Sequence, residues 1–195
     1  MFKQPDDIQF TMPAWITGYV QDCTCITDIE TRMGFVIEAA RQNVIQNTGG
    51  PFAAAIFEID SGRLISLGVN LVTSEGLSIL HAEMVAIAIA QKKLATYDLG
   101  GEGMARHELV TSTEPCAMCF GAIPWSGVKR VISGASDADA RSIGFDEGPK
   151  LENWRAALSD RQIEVIADVK RQEARLVLNE YLQTGGQIYN SRESC

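Results

Sequence analysis

Two short stretches of this 195-residue chain hold residue types that could do chemistry. In Cys116-Ala117-Met118-Cys119, two thiols three residues apart fall on one face of a helix, where they can grip a single metal ion. Pro115 suits the first turn of that helix, because its fixed φ and missing N–H cost nothing there. Thiols at a helix N-terminus also ionise more readily, since the exposed backbone N–H groups stabilise the thiolate that zinc requires. Alone, the pair leaves three readings: a zinc half-site, a redox couple, or two unrelated buried cysteines. A candidate third ligand lies in His81-Ala82-Glu83, at the start of an apolar run that continues to Leu94. The chain has only two histidines, and the other, His107, precedes a strand in a polar stretch where a solvated place is expected.

One imidazole and two thiolates leave tetrahedral zinc one ligand short, and an open position separates a catalytic zinc from a structural one. Water fills that fourth place in this reading. Glu83 is then the proton carrier beside the metal; its alternative is a helix-start glutamate that only complements the dipole. A closed site completed by Cys23 or Cys25 is the rival arrangement, and it leaves Glu83 without a task. Cys195 is expected to be free. Residues two apart on a regular helix point about 200° away from each other, so His81 and Glu83 cannot both face one zinc from mid-helix. The spacing therefore predicts His81 at the N-terminal boundary, Glu83 in the first turn, and Val85 to Ile89 as the buried face behind them.

The elements that must position these residues alternate along the chain. Met33, Val36, Ala40 and Val44 recur at helical spacing after Ile29, and Asn47-Thr48-Gly49-Gly50-Pro51 supplies stop signals. Ala53 to Phe57 and Leu64 to Val69 flank Asp60-Ser61-Gly62 as a β-hairpin. Strands are expected at Glu108 to Ser112, Val128 to Ser133 and Ile163 to Val169, with helices from about Cys116, near Asp137 to Ile143, and over Gln172 to Leu182. Residues 1–26 read as an irregular extension, and 27–195 as one domain. Such alternation predicts an α/β layered domain with helices on both faces of a sheet.

Composition narrows the partners. Apolar residues make up 46% and charged residues 22% of the chain, which describes an ordinary globular domain. A net charge of −8 repels phosphate backbones, and no run of Lys or Arg offsets it, so a small uncharged or cationic partner is expected rather than nucleic acid. No apolar run is long enough for a membrane span, and Met1 to Asp7 lacks the layout of a signal peptide, so no membrane partner and a cytoplasmic location are expected. Five cysteines, an odd count, fit a reducing compartment better than a disulfide framework.

His81-Ala82-Glu83 taken with Pro115-Cys116-Ala117-Met118-Cys119 matches the zinc-deaminase signature of H-x-E followed by P-C-x-x-C. Further stretches carry the likeness: Gly49 to Ala55, Asn70, Phe120-Gly121-Ala122-Ile123-Pro124-Trp125, Gly144-Phe145-Asp146-Glu147-Gly148-Pro149 and Gly185 to Asn190. Over residues 30–190 the chain resembles the cytidine deaminase superfamily, and within it the bacterial guanine deaminase branch. That resemblance implies a three-layer α/β/α sandwich around a mixed five-stranded sheet, a tight homodimer, and zinc-dependent hydrolysis of guanine to xanthine and ammonia in purine catabolism. It makes His81, Cys116 and Cys119 the ligands of one zinc per subunit, with water as fourth ligand, and Glu83 the main proton shuttle. Asn70 is to hydrogen-bond the base, Phe52 to stack on it, the backbone at Ala82 to contact the reacting region, and Trp125 to lie beside the pocket. Phe52 and Trp125 also read as core residues, and Asn70 as a turn residue. Glu147, preceded by Asp146, could protonate the leaving amine or hold the amino edge of guanine, a surface role for the pair being the alternative. The segment around Tyr189 is expected to close over a pocket in its own or the partner subunit. Aminotriazines such as ammeline are further substrates of the branch. The competing functions are a nucleoside deaminase for guanosine or cytidine, a tRNA adenosine deaminase, and a non-catalytic zinc-stabilised binding module.

Overall fold

The computed structural model describes residues 4–21, 23 and 25–190; Cys195 lies outside them. In chain order the helices are α1 (Trp15–Gln21), α2 (Ile29–Ile45), α3 (Val72–Glu75), α4 (Ala82–Leu94), α5 (Ala117–Ser126), α6 (Asp137–Ser142), α7 (Trp154–Ser159) and α8 (Arg171–Gln183). The strands are β1 (Ala53–Glu58), β2 (Leu64–Val69), β3 (His107–Thr113), β4 (Arg130–Ala135) and β5 (Glu164–Ile166), in the sheet order β2-β1-β3-β4-β5. β1 runs antiparallel to both β2 and β3, whereas β3, β4 and β5 are parallel, so the sheet is mixed as expected.

Strand residues alternate between two apolar layers, so the central strands β1, β3 and β4 are buried at nearly every position. Ala53, Ala55 and Phe57 of β1, with Val110 and Ile132, pack against Met33, Val36 and Ala40 of α2 and Val177 and Leu178 of α8. Ala54, Ile56, Leu109 and Val131 face the other way, onto Ala86 and Ala90 of α4, Ile123 of α5 and Leu158 of α7. The contact between α4 and β2 needs glycine at position 68. A Cβ there would stand 2.4 Å from the Ala82 carbonyl oxygen and 2.4 Å from the Ala86 nitrogen. Small residues on both surfaces thus let α4 lie close enough to the sheet to hold its first turn in place.

Three expectations are corrected. The N-terminal stretch is not irregular throughout: α1 packs on α2, with Ile16 buried, the Tyr19 hydroxyl donating to the Phe35 carbonyl at 2.7 Å, and the two rings 4.9 Å apart. Its aromatic residues find apolar partners only in the folded chain, a signal that local periodicity does not carry. His107 is not solvated; it opens β3 at 1% exposure, with Nδ1 2.7 Å from the Leu99 carbonyl oxygen. On α4, Val85, Ala86 and Ile87 are buried, but Ala88 faces outward, because a helical face cannot continue through five successive residues. Helices α3 and α7 were not anticipated. Among the described residues no helix is long and apolar enough to cross a membrane.

The C-terminal side of β4 leads into α6, whose capping box joins Ser136 and Asp139. Burial disfavours the Asp139 carboxylate, but hydrogen bonds from the Arg171 guanidinium and from the backbone and hydroxyl of Ser136 outweigh it and hold the group at about 2. Arg171 Nε lies 2.7 Å from Asp139 Oδ2 and ties α8 to the start of α6. Because the folded value lies below the unfolded one, this contribution is complete above about pH 4 and lost as the pH falls from there toward 2. Asp139→Asn is expected to cost about 1–2 kcal/mol at pH 7. Urea unfolding of both proteins from pH 7 to pH 2.5 should show the difference shrinking across the acid range.

Candidate active site

Two helices begin at the same place. β3 ends at Thr113, the Glu114 N–H extends its ladder by donating to the Ala135 carbonyl at 2.8 Å, and Pro115 turns the chain into α5. Cys116 is the N-cap of α5 and His81 the N-cap of α4, both with extended backbone (ψ 174° and 152°). Neither side chain caps its own helix. They turn to each other instead, with His81 Nδ1 3.4 Å from Cys116 Sγ. Cys119, one turn into α5 and fully buried, completes a set of three ligand atoms lying within 4.8 Å of one another. Around tetrahedral zinc, such nitrogen and sulfur atoms stand roughly 3.5–3.8 Å apart. The donor set therefore fits zinc in both chemistry and spacing. Cys23 and Cys25 are not part of this cluster; Cys25 is exposed, with its Sγ 2.7 Å from the Ser61 carbonyl oxygen.

The electrostatics point the same way. A hydrogen bond from the Cys119 thiol, opposed by burial and aided by His81, pushes the Cys116 thiol down to about 4. Glu83, in the first turn of α4, is buried; that burial, then the Cys116 charge, pushes its carboxyl up to about 7 against the pull of His81. Burial, followed by the charges of Cys116, Glu83 and Asp137, raises Glu147 to about 8. A thiolate and two carboxyls enclosed together concentrate negative charge that a divalent cation neutralises.

These groups line a cavity of about 490 Å³ together with Phe52, Asn70, Phe145 and Tyr189. The Phe52 and Phe145 rings meet edge-on at 4.9 Å, and Tyr189 stands 5.1 Å from Phe145, which gives the cavity an aromatic wall. Asn70 is buried and doubly fixed: its side-chain oxygen accepts from the Val72 N–H at 3.2 Å, and its carbonyl accepts from Asn43 Nδ2 at 3.0 Å. Among the described hydrogen bonds its amide nitrogen has no protein acceptor, which leaves an NH₂ donor at the cavity wall. Tyr189 reaches the cavity of its own chain.

Two of the expected residues, Trp125 and Ala82, are not among those that line the cavity. Trp125 is 85% exposed and does not line the cavity, because six residues beyond Cys119 is about 240° around the helix; Ile123 takes the inward place. Ala82 is fully buried but packs in the α4 layer, with its carbonyl against Gly68 rather than toward the cavity. Asp146 does line the cavity. Its Oδ1 accepts from the Gly148 N–H at 2.9 Å and shapes the turn, while the neighbouring Glu147 is the buried member of the pair. Conversely, Phe145, Met118, Ser78 and Asn190 line the cavity without having been singled out. Phe145 lay inside a recognised stretch and its aromatic ring was the available signal. Asn190 ends another such stretch, and its contacts are long-range: it accepts from the Asp146 N–H and donates to the Gly144 carbonyl, 44 and 46 residues away, each at 2.9 Å.

Comparison with known proteins agrees with this geometry. Residues 26–135 match the cytidine and deoxycytidylate deaminase zinc-binding region. The guanine deaminase of Bacillus subtilis (strain 168) is 39% identical over 118 residues, covering 60% of this chain and 71% of that protein. A solved structure of guanine deaminase from Nitrosomonas europaea is 42% identical and superposes with a TM-score of 0.88, covering 93% of this chain and 100% of that one. A second solved structure, of a protein in complex with 2,6-diaminopurine, is 44% identical with a TM-score of 0.89, over 95% of this chain and 98% of that one.

The protein is expected to bind about one equivalent of zinc, as three ligands with an open fourth position require. Metal analysis of the purified protein checks this, and Cys116→Ala should bring the content below about a tenth of an equivalent with no loss of the sheet's circular dichroism, because the ligand set loses its bridging member.

Proposed function

The chain belongs to the cytidine and deoxycytidylate deaminase zinc-binding family, and from that premise we propose that it is a guanine deaminase, converting guanine and water to xanthine and ammonia. The observation that carries this reading is the enclosure of two buried carboxyls, Glu83 and Glu147, in one aromatic-walled cavity with the His81, Cys116 and Cys119 cluster.

Zinc held by those three residues supplies a Lewis acid that makes water nucleophilic at neutral pH. Phe52 and Phe145 hold the planar base by its face, and the Asn70 NH₂ donates to an acceptor on its rim. Glu83 takes a proton from the attacking water and places it on the ring nitrogen beside C2. Glu147 supplies a proton to the 2-amino group as the C2–N bond breaks and ammonia departs, and the C2 hydroxyl gives its remaining proton to the vacated Glu83 carboxylate as the xanthine carbonyl forms. Burial that holds both carboxyls above their usual range suits groups that gain and lose protons near neutrality. Tyr189 and Asn190, from the C-terminal segment, line one side of the cavity.

The subunit is also proposed to pair with a second copy through the outer face of α5. That helix has the sequence AMCFGAIPWS, yet only Cys119, Ile123 and Ser126 are buried, and Trp125 and Met118 stand exposed beside Gly121, which has open space around it. An apolar helix uncovered in this way fits an isologous contact.

Ammonia release should be measured with guanine, guanosine, cytosine, adenine and ammeline. Guanine is expected to be the best substrate, and Glu83→Gln should lower its turnover about 10³-fold, in the range of a lost general acid–base group. No release from guanine by zinc-loaded protein overturns the substrate, and a fully active Glu83→Gln overturns the proton carrier.

A further inference from the structure

Outside the reacting groups, one buried cation sits where the two halves of the site meet. The Lys150 side chain is only 6% exposed. Its ammonium has three N–H donors, and three acceptors surround it: Glu114 Oε1 at 2.5 Å, the Pro115 carbonyl at 2.9 Å and Asp137 Oδ1 at 3.2 Å. It also stands 5.2 Å above the Trp154 ring.

The identity of the three acceptors matters. Glu114 and Pro115 are the residues immediately before the ligand Cys116, and Asp137 opens α6. Lys150 itself closes the loop 144–149 that presents Glu147. Around that loop, the Ala117 N–H donates to the Glu147 carbonyl at 2.9 Å and Arg141 donates to the Gly148 carbonyl at 3.0 Å. Gly148 adopts φ +70°, and a Cβ on it would stand 3.0 Å from the Ala117 Cβ, so the loop lies directly on the start of α5. The ammonium is thus the charged pin between the segment that delivers Cys116 and the loop that delivers Glu147.

We propose that Lys150 is a positioning residue for the deamination reaction: by neutralising Glu114 and Asp137 and holding the Pro115 carbonyl, it fixes the Glu147 carboxyl against the metal side of the cavity. This rests on the deaminase reading above. Without the ammonium, Glu114 would keep only the half-exposed Arg155, Nη2 at 3.6 Å, and Asp137 only Arg141, Nε at 2.5 Å, so the two anions would face each other with no cation shared between them. Their repulsion would move the loop away from α5. A displacement of about 1 Å at a reacting group can cost about 10²-fold in rate.

The test is a double-mutant cycle on the zinc-loaded protein, run on whichever base of the panel releases ammonia. Lys150→Met keeps the stem over Trp154 and removes the charge. It is expected to lower kcat about 10- to 100-fold while KM changes less than about threefold and zinc content is unchanged, because Phe52 and Asn70 bind the base without help from Lys150. In a Glu147→Gln background the same change should cost less than about threefold, since the group it positions is already gone. The proposal is overturned by wild-type kcat in Lys150→Met, by a loss that appears in KM or zinc content, or by a full loss that persists in the Glu147→Gln background. If Lys150→Met does not fold, Lys150→Gln carries the same cycle; failure of both to fold assigns the residue to stability and also overturns it. A fully active Glu147→Gln removes the proton donor from the mechanism and the positioning role with it. Release from a base other than guanine corrects the substrate and leaves the Lys150 cycle to be decided on that base, whereas no release from any base overturns both readings.

Discussion

Everything at this site depends on one geometric constraint: the N-termini of α4 and α5 must converge, with a metal-ligating side chain at the first, non-helical position of each. An N-cap residue has extended backbone and commonly turns its side chain back to satisfy the helix's own N–H groups. His81 and Cys116 forgo that use. On α5 the Ala117 N–H is taken by the Glu147 carbonyl, while the Cys119 N–H stabilises the Cys116 thiolate and, on α4, the Glu83 N–H stabilises the Glu83 carboxylate. The constraint also explains the H-x-E spacing. With His81 outside the helix and Glu83 at its second position, the two side chains escape the opposition that mid-helix residues two apart would suffer.

Convergence of that kind requires the sheet to hold the two helices at a fixed separation. The α4 layer is held by the glycine at position 68 of β2, where any side chain would strike the backbone of α4 at Ala82 and Ala86, the residues that flank Glu83 and its turn. α5 follows β3 through only three residues, and the second of them is a proline. Short connection and close packing thus do the positioning on either side, and the parallel neighbour β4 feeds α6 and the Glu147 loop from the same edge of the sheet. The reacting groups come from three separate chain segments, one carrying His81 and Glu83, one Cys116 and Cys119, and one Glu147.

How much of this the sequence disclosed follows from the range of each signal. Helix periodicity, metal-ligand chemistry and the H-x-E constraint are local, so the three ligands, Glu83 and the place of His81 at a helix boundary could be read from a few residues. The strands were legible for the same reason, since Ala53 to Phe57 and Leu64 to Val69, the latter interrupted only by Ser66 and Gly68, are short apolar runs between turn residues. Residues whose place is decided by distant partners were not legible. His107 is buried because Leu99 offers a carbonyl and β3 lies at the centre of the sheet. The helix at Trp15–Gln21 exists against Phe35, and Trp125 faces out because of its turn on α5, not its size. Between Asp146 and Glu147 the sequence offered two carboxylates. Only the loop's own hydrogen bonds show that the shorter one is spent on the turn and the longer one is enclosed.

The C-terminal segment shows how the site's two kinds of wall are joined. Among the described residues the Tyr189 hydroxyl is buried without a hydrogen-bond partner, close to where a side chain on Gly50 would lie. A buried hydroxyl left unanswered costs about 1–3 kcal/mol, so docking of this segment on the protein alone is opposed by its own tip. What offsets that cost is Asn190, which makes two hydrogen bonds to the loop carrying Glu147, and the Tyr181 hydroxyl, which donates to the Gln187 carbonyl at 2.7 Å. The aromatic cover and the second carboxyl are therefore mechanically one unit: the segment cannot lift without releasing the backbone at Gly144 and Asp146, and the loop cannot shift without loosening the cover. A polar edge of a bound base that reached the Tyr189 hydroxyl would stabilise the closed arrangement and, through Asn190, the placement of Glu147. Enclosure and proton delivery would then arrive together, which is the order a hydrolysis with a small neutral substrate needs if water is to enter once and not continuously.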